Sequence, residues 1–128
     1  MPPSAQATAR ILLVEDEPKL RQTLAEGLCL EDWHVTSAAT GSEAQSLLES
    51  QVFDAVVLDW MLPDRDGLEI VRRLRASGSR LPVLIISARG GTNAAETVRQ
   101  AGATDYLAKP FSFEDLLART RALLSPAT

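Results

Sequence analysis

A single cysteine, Cys29, occurs in the chain, so no internal disulfide can form and the pattern fits a reducing compartment. It has no second cysteine and no close histidine to make a metal site or an activated thiolate. Set among Leu24, Leu28 and Leu30, it reads as a packing or surface residue of a helix. The one histidine, His34, falls on an edge strand, which argues against a histidine relay. No apolar run approaches the ~20 residues of a membrane span, so no membrane partner is expected. A net charge of −4 gives no reason for a nucleic-acid surface on this chain. There is no Gly-x-x-x-x-Gly-Lys loop, and the turn after the first apolar run holds acids where a dinucleotide fold needs glycines. Repeats and low-complexity blocks are absent. The opening Met1 to Ala9 lacks the apolar core of a signal peptide. A cytoplasmic location is therefore expected.

What is present suits one soluble domain. The chain has 128 residues, 45% of them apolar and 23% charged, enough for one core and too few for two. Residues 1–9 read as a loose tail, 10–124 as the domain, and 125–128 as a tail or truncated linker. The organising stretch is Ala55-Val56-Val57-Leu58-Asp59, an apolar run that ends on an aspartate. Such a run suits the middle of a parallel sheet covered on both faces. Further strands are predicted at Arg10 to Val14, His34 to Ala38, Pro82 to Ser87 and Asp105 to Ala108. Helical spacing follows each strand: Leu20, Leu24 and Leu28; Ala44, Leu47 and Leu48; Leu68, Val71 and Leu74; Val98; and Phe113, Leu116, Leu117, Thr120, Leu123 and Leu124. Thr40, Asp66 and Ser112 stand where N-caps belong, with Thr40 and Glu43 spaced as a capping box. Arg72, Arg73 and Arg75 are expected to face water, and the helix near Val98 to be the loosest.

Five strands alternating with five helices predict an α/β, flavodoxin-like (βα)5 fold with a parallel sheet of order 2-1-3-4-5. The switch point of that order lies between strands 1 and 3. Sites in open α/β sheets sit at the carboxyl ends of the strands, and four of the five ends carry chemistry. They offer Glu15 and Asp16, Asp59, Ser87 and Lys109. Three carboxylates at one place repel one another unless a cation joins them. Hard oxygen ligands favour Mg²⁺, and no Cys/His set argues for zinc. A cation, a lysine and a hydroxyl around one carboxylate suit a phosphoryl group, with the carboxylate as nucleophile. Singly, each residue has a plain structural role: Glu15 and Asp16 as helix caps, Ser87 in a turn, Lys109 on the surface. It is their joint placement that points to a site.

These residues resemble the receiver domain of bacterial two-component response regulators. The resemblance runs through Ile-Leu-Leu-Val-Glu15-Asp16-Glu-Pro, Val-Val-Leu-Asp59-Trp-Met-Leu-Pro63-Asp-Arg-Asp66-Gly67, Ile-Ile-Ser87-Ala88-Arg, and Gly102-Ala-Thr-Asp105-Tyr106-Leu-Ala-Lys109-Pro110-Phe111. It covers about Arg10 to Leu124. It implies that Asp59 accepts a phosphoryl group from a sensor histidine kinase or a small phosphodonor. It implies Mg²⁺ held by Asp16, Asp59 and the backbone carbonyl of Met61, with Glu15 assisting. Ser87 and Lys109 would hold the phosphoryl oxygens, Tyr106 would be an aromatic switch coupled to Ser87, and the Lys109-Pro110 bond would be cis. The chain would be a signalling domain that catalyses only its own phosphotransfer and autodephosphorylation.

The stretch Phe111 to Arg119 looks most like receivers of winged-helix transcription regulators. Those pair through helix 4, strand 5 and helix 5, and Asp105, Asp115 and Arg119 match the charged contacts used. Ala95 and Ala101 depart from that pattern, which leaves homodimer formation on phosphorylation open. Asp32 replaces the glycine usual before strand 2; aspartate tolerates a left-handed turn better than most residues. A DNA-binding effector domain belongs to a longer protein if it exists. An aspartyl phosphohydrolase would want a second acid two residues after the nucleophile, where Met61 stands. An inert interaction module would not need the complete acid, hydroxyl and lysine set.

Overall fold

The computed structural model describes residues 8–89 and 91–125. Residues 1–7 of the expected tail 1–9, residues 126–128 of the expected tail 125–128, and position 90 of the loop after Ser87 lie outside the described residues. The strands are β1 (Arg10–Val14), β2 (His34–Ala38), β3 (Ala55–Asp59), β4 (Val83–Ser87) and β5 (Asp105–Ala108). They alternate with α1 (Pro18–Cys29), α2 (Gly41–Ser50), α3 (Gly67–Ala76), α4 (Ala94–Gln100) and α5 (Phe113–Leu124). The sheet order is β2-β1-β3-β4-β5, and every pairing is parallel.

Alternation along each strand divides the core in two. Leu12, Val14, Val56, Leu58, Val83 and Ile85 face α2, α3 and α4, where Ala44, Leu68, Ile70, Val71, Ala94 and Val98 meet them. Ile11, Leu13, Ala55, Val57, Leu84, Ile86 and Leu107 face α1 and α5, against Leu24, Leu28, Leu116 and Leu123. β3 and β4 are buried at every position, whereas β2 is buried only at Ala38. That is why β3 and β4 are unbroken apolar runs and β2 is mixed. No helix among the described residues is long and apolar enough to cross a membrane.

The caps show how local sequence starts α2, α3 and α5. Thr40 accepts from the Glu43 amide at 3.1 Å, Asp66 from Leu68 at 2.9 Å, and Ser112 from Asp115 at 3.1 Å. The Glu43 carboxylate reaches the Ala39 amide (2.8 Å), one residue earlier than a capping box predicts. Neither Glu15 nor Asp16 caps α1. Glu17 does, accepting from Lys19 and Leu20 at 3.1 and 2.9 Å. Asp32 adopts φ 65°, the left-handed turn that lets the chain enter β2. α4 is the shortest helix, has no side-chain cap bond and buries Ala94 and Val98.

Arg75 corrects the expectation that it faces water. It is half-buried, donating from Nε to the Gly102 carbonyl (2.8 Å) and from Nη1 to the Ser79 carbonyl (3.1 Å). Its hydrophobic stem lies over Gly102, whose φ is 108°.

Candidate functional site

Each site residue is placed by the end of a strand. Asp59 and Ser87 are the last residues of β3 and β4. Glu15 and Asp16 follow β1, and Lys109 follows β5. Backbone bonds carry the sheet one step further: the Glu15 amide donates to Ala38 (3.0 Å), Trp60 to Ile86 (3.0 Å) and Lys109 to Ser87 (2.8 Å). These bonds hold the ends level, so the side chains converge over β1 and β3.

The Lys109 ammonium lies between two buried acids, 2.8 Å from Glu15 Oε1 and 3.1 Å from Asp59 Oδ2. Glu15 is wholly buried and Asp59 nearly so, while Asp16 is exposed. One carboxylate oxygen from each of the three lies within 4.8 Å of the others. Three carboxylates against one ammonium leave net negative charge in a partly desolvated place. Burial raises the Glu15 pKa above its ordinary 4.5; the Lys109 bond opposes this, and Asp59 adds to it. Burial works to lower the Lys109 pKa, but its bonds to Glu15 and Asp59 prevail and raise it. The lysine is thus firmly protonated.

Both oxygens of Glu15 are engaged, Oε1 by Lys109 and Oε2 by the Glu17 amide at 3.0 Å. Asp59 Oδ1 accepts from the Met61 amide at 3.1 Å, which fixes its carboxylate plane. Ser87 is buried, and its Oγ accepts from the Arg89 amide at 2.9 Å. Tyr106 is half-buried and donates to the Arg89 carbonyl at 2.7 Å. The Arg89 guanidinium sits 4.9 Å from the Trp60 ring centroid, and Trp60 meets Tyr106 edge-on at 6.3 Å. Arg89 therefore touches Ser87, Trp60 and Tyr106 together. Nothing in local spacing announces that role, since two of its three contacts use backbone atoms. The Lys109–Pro110 peptide bond is cis.

Of the three charged residues suggested for a pairing surface, Asp105 and Arg119 bond to each other within the chain at 3.0 Å. Asp115 is exposed on the first turn of α5.

A profile of the response regulator receiver domain matches residues 11–121. The chain belongs to the response regulator receiver family. Response regulator MprA of Mycolicibacterium vanbaalenii is 46% identical over 119 residues, covering 93% of this chain and 52% of the relative. MprA of Mycobacterium bovis is 44% identical over 117 residues, covering 91% and 51%. The chain thus spans about half the length of these relatives. Among solved structures, the Francisella response regulator 1452 receiver domain superposes with a TM-score of 0.88 at 32% identity, covering 91% of this chain and 97% of that one. The non-phosphorylated HemR receiver domain of Leptospira biflexa gives 0.87 at 35% identity, covering 94% and 98%. Receiver domains of this family are signalling domains of two-component systems.

Proposed function

We propose that Asp59 is the phosphoacceptor of this receiver. The observation that carries the reading is the Lys109 ammonium bridging Glu15 and Asp59, with Asp16 beside them. An Asp59 carboxylate oxygen attacks the phosphorus of a kinase phosphohistidine or of a small phosphodonor. The bond from phosphorus to the leaving nitrogen or oxygen breaks, and the leaving group takes up a proton from solvent. The product is an acyl phosphate on Asp59. Its hydrolysis returns the carboxylate and inorganic phosphate, which is the autodephosphorylation expected of the domain.

The residues present fit Mg²⁺: hard oxygens, excess negative charge and an exposed approach through Asp16. Asp16, Asp59 and the Met61 carbonyl would hold it, and Glu15 would assist through water. Bound there, it supplies positive charge toward the phosphoryl oxygens. Lys109 supplies more of that charge and orients the group, and the Ser87 hydroxyl donates to it. Positioning and charge neutralisation are most of what phosphoryl transfer asks of a protein.

The same reading gives the switch. Phosphorylation adds roughly −1.5 to −2 charges at pH 7. Ser87 turns toward the new oxygens and gives up the Arg89 amide. The Arg89 carbonyl, on the same residue, is the partner of Tyr106. The pull on Ser87 thus reaches Tyr106 through one residue, and the surface of α4, β5 and α5 follows. This is a bias between two existing arrangements. In a longer protein that surface would govern an effector domain; the regulator relatives make a DNA-binding one the natural choice.

The test is intact mass after incubation with acetyl phosphate and Mg²⁺. The wild-type chain gains one phosphoryl group; Asp59→Asn and wild type with EDTA gain none. Undiminished labelling of Asp59→Asn rules the assignment out.

A further inference from the structure

The loop from Trp60 to Asp66, which carries the Met61 carbonyl, is tied down at two places. At its base the Gly67 amide donates to the Trp60 carbonyl (2.7 Å), and Met61 pairs with Asp66 in an antiparallel bridge. At its tip Asp64 reaches a different element. Its Oδ1 accepts from the Gly41 amide (2.8 Å) and its Oδ2 from the Ser42 amide (2.9 Å). Those are the first two residues of α2, whose amides have no partner within the helix. The Asp64 pKa is lowered by these two bonds.

α2 is itself anchored to the acids from the other side. The Glu15 amide bonds Ala38 at the end of β2 (3.0 Å), and Glu43 of α2 holds the Ala39 amide (2.8 Å). A closed chain of bonds therefore runs from Glu15 through Ala38 and Ala39 to α2, through Asp64 to the loop, and through Met61 to Asp59. Lys109 completes it back to Glu15. Gly41 gives this approach room: a Cβ there would press on the Arg65 stem and lie 3.2 Å from Asp64 Oδ1.

We infer that Asp64 is a positioning residue for the metal-binding loop: by gripping the start of α2 it sets the Met61 carbonyl relative to Asp16 and Asp59. The inference rests on the reading of Asp59 and Met61 as cation ligands. It makes cation affinity depend on α2, a helix that offers no ligand of its own.

The experiment titrates Mg²⁺ into metal-free protein and follows Trp60 fluorescence, with Trp33→Phe as the background to leave one reporter. Asp64→Ala raises the Mg²⁺ Kd roughly three- to tenfold, at or below the low end of outer-shell effects. Asp64→Asn, which keeps one acceptor oxygen, falls between. Gly41→Ala, which pushes Arg65 and Asp64 away, raises Kd by the same route, so the two changes combined add little. Arg10→Ala is the control for general loosening. Its side-chain bonds to the Val52 carbonyl and Gln51 Oε1 lie at the opposite end of the sheet, so it lowers the unfolding midpoint and leaves Kd alone. An Asp64→Ala Kd within twofold of the parent overturns the inference, and so does an Arg10→Ala Kd raised as far as that of Asp64→Ala. A parent chain that does not respond to Mg²⁺ overturns the cation reading itself, and this inference with it.

Discussion

Glu15 is a wholly buried carboxylate whose chemistry departs from its ordinary behaviour. Burial raises its pKa above 4.5, so the folded chain holds that proton more tightly than the unfolded chain does. The folded state then binds more protons than the unfolded one in a window opening at about pH 4.5. Stability contributed by this group falls as pH rises through that window. Glu17 and Asp64 act in the opposite sense, since backbone bonds lower both. Their contribution is present above the ordinary carboxylate values and is lost as pH falls further. The windows are separate, so the signs can be told apart. In metal-free buffer, urea midpoints between pH 4.5 and pH 7 should decline less steeply for Glu15→Gln than for wild type. An unchanged slope would place the titration elsewhere. The sequence marked Glu15, Asp16, Asp59, Ser87 and Lys109 because each stands where an apolar run stops. Position at the strand end did not separate Glu15 from Asp16; the resemblance did, by casting Glu15 as the assisting acid. Which acid turns inward is set beyond the strand end, by the amide of Glu17 and by a lysine 94 residues away.

At the scale of elements, the closest approach to the site is that of α3 to the end of β3. A Cβ on Gly67 would lie 2.4 Å from the Asp59 carbonyl and 3.1 Å from the Trp60 Cα. Those neighbours are backbone and cannot swing aside. Gly67→Ala should therefore destabilise the chain by about 1–3 kcal/mol, the usual range for overpacking, despite alanine's better helix propensity. Urea denaturation measures it, and a gain in stability would show that α3 has room to move. The order of elements and three caps were readable because they depend on neighbours in sequence: Thr40 with Glu43, Asp66 with Leu68, Ser112 with Asp115. Arg75 and Asp64 were not. Apart from Ser79, four residues from Arg75, their partners are Gly102, Gly41 and Ser42, each more than 20 residues distant, brought close by the crossovers. Spacing rules describe a helix against itself; they are silent on what a loop does to the next helix.

For the whole molecule, five alternations of strand and helix leave few topologies, and right-handed crossovers select the one observed. Association between copies has no such rule, because it depends on which surface pairs are free. Arg119 donates from Nη1 to both oxygens of Asp105 and to the Tyr106 carbonyl, so its in-chain bonds tie α5 to β5 beside Tyr106. That pair is about two-fifths exposed on either side and is worth less than ~1 kcal/mol. Trading it for a contact with a second copy would cost little, so a bias from a phosphoryl group would be enough to tip it. A two-fold pair repeats every contact, so one substitution removes two. On this argument wild type should sediment as a monomer alone and as a heavier species with beryllofluoride and Mg²⁺. Arg119→Ala should keep the Trp60 response to beryllofluoride and a near-unchanged unfolding midpoint, but lose the heavier species. If that variant still assembles, the pairing runs through another face, and the Asp105–Arg119 bond serves only to hold α5 against β5 within one chain.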